Sequence, residues 1–217
     1  MQFTFICVKI IDENMDGKLI LKASLITIAS LIVAVALSFT LWFFLAPGSM
    51  ASISQQWGYY DFALTCANKQ YNKSQKTGDL AFCAEISIYL ADDELVIKYC
   101  EPLTERDDFG ALCSQKDEAL SNTQYGAYAT NYRSYILGNL AVSQYRNGDL
   151  KKAVETAEQG VGASDSKEVI DACFKRLVLE IALHGTDADT ENVIKYITRS
   201  DIGGYVDAWI KGLTQAG

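Results

Sequence analysis

Five of the six cysteines, a periodic row of tyrosines and one histidine are the residues of this chain best suited to chemistry. Cys66 and Cys83 flank the polar stretch Asn72 to Gly78 at similar distances, and Cys100 and Cys113 do the same around Thr104 to Gly110. If those stretches are turns between antiparallel helices, each pair stands at similar height, where a disulfide forms when the side chains face each other. The same four residues serve equally well as small buried apolar groups, and both readings stand. Cys173 belongs to neither pair. No C-x-x-C spacing occurs, so the sequence gives no support to thioredoxin-type redox chemistry.

Tyr125, Tyr128, Tyr132 and Tyr135 recur at helical spacing and form one stripe if residues 122–146 are a single helix. Tyrosine combines a large contact area with a hydroxyl that needs water or a partner. The stripe therefore suits a binding groove, with Arg133, Tyr145 and Arg146 as polar anchors, or else a helix–helix seam with the hydroxyls at its rim. His184 precedes Gly185 at an expected helix C-terminus, where a cation complements the helix dipole. One histidine is too few for a His-based metal site. Asp187-x-Asp189-x-Glu191 lacks the glycine and distal glutamate of a calcium loop and reads as an acidic helix start. Gly203-Gly204 has no following Lys-Ser/Thr, so it is no phosphate loop. Asn72-Lys73-Ser74 fits a glycosylation sequon in an expected loop.

The elements that position these residues begin with one uncharged stretch. Lys22 is the last charge before Asp61, and Ala23 to Ala46 carries 19 apolar residues out of 24. At about 1.5 Å per residue that segment is roughly 36 Å long, enough to cross a hydrocarbon core of about 30 Å. Lys9, Lys18 and Lys22 precede it, and no Lys or Arg follows until Lys69. The positive-inside rule then keeps the N-terminus cytoplasmic and sends the remainder across the membrane. The expected organisation is a cytoplasmic N-terminus over 1–18, a transmembrane signal-anchor over 19–46, a linker over 47–52 and an extracytoplasmic domain over 53–217. Met15 is a second possible start, and the topology is the same from either. Ser49-Met50-Ala51 offers a cleavage site, but the apolar run is much longer than the h-region of a cleaved signal.

Beyond the anchor, the near absence of proline (Pro47 and Pro102 in the whole chain) and the lack of alternating Val/Ile/Thr runs predict an all-helical domain. Turn signals predict helices over 51–71, from Asp79 to about Ala91, and from Asp92 to soon after Tyr99, where Pro102 should end the third. Further helices are expected from about Gly110 to Leu120, from Asn122 or Thr123 to Arg146, and from Asp149 to Val161. The last three run from Ser166 to Leu183, from Asp189 to Thr198 and from Asp201 to Leu213. Short turns between antiparallel helices make a stack of helical hairpins. The net charge of −8 argues against nucleic-acid binding, which needs a basic face.

Leu137-x-x-Leu140-Ala141, Tyr145, Gly148-Asp149-Leu150, Ala153-Val154 and Gly160 together resemble one tetratricopeptide repeat. Gly160 stands where that family usually has alanine, and no proline closes the unit. A weaker trace is Gly78-Asp79-Leu80 with Cys83-Ala84. The resemblance implies an α-solenoid of antiparallel helical hairpins with a concave face for protein or peptide. With no catalytic set and no cofactor motif in view, the sequence reads as a membrane-anchored scaffold or adaptor rather than an enzyme. The alternatives are a structural subunit of a membrane complex assembled through its transmembrane helix, and a thiol-dependent or hydrolytic enzyme.

Overall fold

The computed structural model describes residues 17–121, 131–161 and 167–216. The chain divides into two units, Met1–Pro47 and Gly48–Gly217. Eleven α-helices, and no strand, occur among the described residues.

Among the described residues the first unit holds one whole helix, α1 (Gly17–Leu45). Its segment Leu21–Leu45 is long and apolar enough to span a membrane, and none of it is buried by protein. Three of its hydroxyls, on Thr27, Ser30 and Thr40, are satisfied within the helix. Thr27 Oγ1 donates to the Ala23 carbonyl at 2.9 Å and Thr40 Oγ1 to that of Ala36 at 2.7 Å. Such back-bonding removes the cost of an unpaired polar group in hydrocarbon.

The second unit begins within α2 (Pro47–Gln56), whose Pro47 stands at the first helical position, where its missing N–H costs nothing. The stretch expected as a linker over 47–52 is thus helical, and Met50 and Ala51 are buried in this unit. The helix expected over 51–71 is two helices. Gly58, at φ +80°, turns the chain between α2 and α3 (Tyr60–Ser74), leaving Trp57 and Tyr59 exposed. Next comes α4 (Thr77–Leu90), in which Asp79 sits inside the first turn and accepts from Ser74 Oγ, rather than capping the helix. The sequon Asn72-Lys73-Ser74 lies in the last turn of α3 rather than in a loop. Both α3 and α4 end on left-handed residues that are not glycine, Gln75 (φ 54°) and Ala91 (φ 53°).

Asp92 caps α5 (Asp93–Thr104) by accepting from the Leu95 N–H at 3.0 Å. The helix runs through Pro102 rather than ending before it. Leu103 beyond the proline is fully buried, and that burial, worth about 1.5–3 kcal/mol, offsets most of the roughly 3 kcal/mol that a proline costs in a helix. After α6 (Phe109–Ser121), the helix expected from residue 122 or 123 is resolved as α7 (Tyr132–Arg146), with Asn131 as its cap accepting from Ser134 N–H.

The α7–α8 turn both stops one helix and starts the next. Gly148, at φ +89°, donates to the Tyr145 carbonyl at 2.8 Å, and the Asp149 N–H reaches that of Gln144 at 3.0 Å. This is a Schellman closure. The Asp149 carboxylate then accepts from Lys152 N–H at 3.0 Å and opens α8 (Leu150–Gln159). The chain finishes with α9 (Lys167–His184), α10 (Asp187–Tyr196) and α11 (Ser200–Ala216). Thr186 and Asp189 form a capping box at the start of α10, which therefore begins before the expected Asp189.

Packing runs from neighbour to neighbour: α3 on α4, α4 on α5, α5 on α7, α7 on both α8 and α9, and α8 on α10. A continuous apolar core in the C-terminal half joins Ala141, Ala153, Val154 and Ala157 to Phe174, Leu177, Val193, Ile202 and Val206. Small residues let these helices approach closely. A Cβ on Gly160 would stand 2.5 Å from Cys173 Sγ and 3.4 Å from Leu137 Cβ. The glycine at position 160 therefore has a steric reason.

Candidate functional site

The candidate residues fall at the two ends of α7, and the structure separates them. At the first end Tyr132 is only 5% exposed. Its hydroxyl donates to Glu85 Oε1 on α4 at 2.7 Å, and its backbone N–H donates to Asp117 Oδ1 on α6 at 2.7 Å. Lys116 pairs with the same Glu85 oxygen at 2.8 Å and stands 5.4 Å from the Tyr132 ring centre. Burial, and then the Glu85 carboxylate, push the Tyr132 hydroxyl far above the ordinary phenol value. Tyr132 is thus a seam residue tying α7 to α4 and α6, not a groove residue. Tyr135 is half-buried, its ring 6.3 Å from that of Tyr132, and burial raises its hydroxyl to about 12. Arg133 is exposed. Tyr125 and Tyr128 lie outside the described residues.

At the other end, Tyr145 and Arg146 line a cleft of about 400 Å³ with Gly148, Leu150, Glu180, His184 and Asp189. Arg146 holds Glu180 in a two-pronged pair, Nε to Oε1 at 2.7 Å and Nη2 to Oε2 at 2.8 Å. Its third nitrogen lies 3.6 Å from Asp93, which also accepts from Ser143 Oγ at 2.8 Å. Three helices therefore meet on one guanidinium, whose planar fork matches the carboxylate. The Arg146 hydrogen bond holds the Glu180 carboxyl below the usual carboxylate range, with His184 adding to the effect. Asp189 is held low chiefly by the Thr186 backbone N–H, and its Oδ2 lies 3.5 Å from the Tyr145 hydroxyl. Burial, and then Asp189, raise the Tyr145 hydroxyl above its ordinary value. Gly185 is required here, because a Cβ would stand 2.5 Å from that hydroxyl.

The cleft therefore combines carboxylates, a phenol and an exposed imidazole, with its one guanidinium already paired. Sequence reasoning found Tyr145, Arg146 and His184 but not Glu180, Asp93 or Asp189 as their companions. The only available signal was the i, i+4 spacing of Glu180 and His184 on one face of α9.

The cysteines are elsewhere. Cys66, Cys83, Cys100, Cys113 and Cys173 are all buried, and neither Cys66/Cys83 nor Cys100/Cys113 is bridged. Burial pushes Cys83 and Cys100 up to about 12, and burial with Asp117 pushes Cys113 up to about 11. At neutral pH such groups are thiols rather than nucleophilic thiolates. Among the described residues no group of three His, Cys, Asp or Glu side chains is placed to hold a metal ion. Asp189 of the acidic run is engaged in its helix cap. No family model, curated protein or solved structure matches the chain.

Proposed function

We propose that this chain is a membrane-anchored helical-repeat module that holds a protein or peptide partner on the extracytoplasmic side. In this reading α1 is an uncleaved signal-anchor, oriented by Lys9, Lys18 and Lys22 on the cytoplasmic side. The helices beyond it form a tetratricopeptide-like stack. The carrying observation is the packing order around α7, which rests on its hairpin partner α8 and on the first helix of the next pair, α9, while α8 meets α10. That order, with the Gly148-Asp149 turn and the close approach at Gly160, is what stacked hairpins require. The partner site in this reading is the Tyr145/Arg146/Glu180/His184 cleft, whose carboxylates and phenol suit a segment rich in N–H donors.

The test is site-specific photocrosslinking from position 184, exposed on the cleft rim, with the full chain in its membrane. The reading stands if a captured segment, made as a peptide, binds the purified chain and binding falls with Arg146→Ala while the circular dichroism is unchanged. It fails if nothing binds the cleft. The rival reading, assembly through α1, gains if replacing α1 by an unrelated membrane helix abolishes association with a membrane complex.

A further inference from the structure

Four aromatic side chains that the partner cleft does not use lie around the α2–α3 turn. Trp57 is 73% exposed and Tyr59 is 64% exposed, on either side of Gly58. Tyr60 opens α3 and stacks on Tyr89 of α4, with ring centres 5.5 Å apart and planes 11° from parallel, and Tyr89 is 60% exposed. An exposed aromatic group of this kind marks an interaction surface. Two features of the chain identify what covers it. The patch begins where α2 ends, and α2 starts directly after the apolar span Leu21–Leu45. The chain also carries no charged residue from Ala23 to Tyr60, so α2 and the turn have nothing that resists entry into the headgroup layer.

We infer that the Trp57–Tyr60 turn, with Tyr89, inserts into the membrane–water interface. This rests on α1 spanning the membrane. Rings with one apolar body and one polar edge favour that layer. Ser49, Ser52 and Gln56, exposed on α2, are uncharged as well.

The experiment uses the full chain in phosphatidylcholine vesicles carrying bromines at shallow or deep acyl positions. Two single-tryptophan forms are compared, Trp57 alone (Trp42→Phe, Trp209→Phe) and Trp42 alone (Trp57→Phe, Trp209→Phe), each checked by circular dichroism. Trp42 reports the span. Trp57 should be quenched by shallow bromines roughly twofold more than by deep ones, with blue-shifted emission, as interfacial placement requires. Quenching of Trp42 without quenching of Trp57 overturns the inference and leaves the span intact. No quenching of either overturns the span itself. Trp57 shielded from aqueous acrylamide but untouched by bromolipid overturns the inference in favour of a second copy of the chain as the cover.

Discussion

Replacing Gly160 by alanine tests a close approach between α8 and α9. The backbone there is ordinary right-handed helix (φ −67°, ψ −21°), so the new Cβ meets no conformational penalty. Propensity alone would favour alanine by up to about 1 kcal/mol. Packing opposes it. The Cβ would lie 2.5 Å from Cys173 Sγ, 3.2 Å from the Ala157 carbonyl oxygen and 3.4 Å from Leu137 Cβ, against an optimum of about 3.5–4.0 Å for non-bonded contacts. Cys173 is fully buried, so its sulfur must displace packed neighbours to make room. Overpacking of this kind costs about 1–3 kcal/mol, and the propensity gain is small at a helix's last position. Thermal or urea unfolding of the full chain in detergent, followed by circular dichroism, should show G160A destabilised by about 1–2 kcal/mol, or roughly 2–4 °C in midpoint for each kcal/mol. In a Cys173→Ala background the sulfur is gone and the same change should cost little, a coupling of about 1–2 kcal/mol in a double-mutant cycle. G160A as stable as the parent, or two changes that simply add, would refute the close packing of α8 on α9.

Tyr132→Phe deletes the hydroxyl on Glu85 and should destabilise by about 1 kcal/mol, whereas Tyr145→Phe, with its long 3.5 Å contact, should change stability little; paired unfolding curves decide whether Tyr132 belongs to the seam. Met50→Ala should cost about 2–5 kcal/mol, because Met50 is 2% exposed inside the second unit, and a midpoint equal to the parent's would return 47–52 to the role of a linker. Glu180 and Asp189 are held below the ordinary carboxylate range, so the unfolded chain binds more protons than the folded one. Their stabilisation is present above about pH 4.3 and is lost as the pH falls through their folded values. Arg146→Ala should flatten that acid limb, measured as the slope of unfolding free energy against pH.

The features written locally were legible in advance. The apolar span needed only length and composition, and Asp92 and Asp149 stood where helix starts demand a side-chain acceptor. The Gly148-Asp149 turn was readable because a left-handed glycine followed by a capping aspartate performs both jobs in two residues. What depended on distant partners was not readable. Tyr132 has the spacing of a groove residue, and only Glu85, far back on α4, makes it part of a seam. Pro102 signals a helix end, and only the burial of Leu103 carries α5 past it. Gly58 was the missed signal in the first expected helix. Half of the cleft could be named from the end of α7, but Glu180 and Asp93 come from helices that packing alone brings there.

The neighbour-to-neighbour packing has a consequence for how the molecule is made. Apart from α5 meeting α7 across α6, and α7 and α8 reaching to α9 and α10, each helix from α3 to α11 finds its main contact one turn away in the chain. Local topology of this kind folds quickly and needs no distant segment to begin. A chain delivered N-terminus first can close α3 on α4 while α9 is still being synthesised. Assembly then proceeds outward, and each completed hairpin is the template for the next. α11, whose main contacts are with α9 and α10, is where fraying begins.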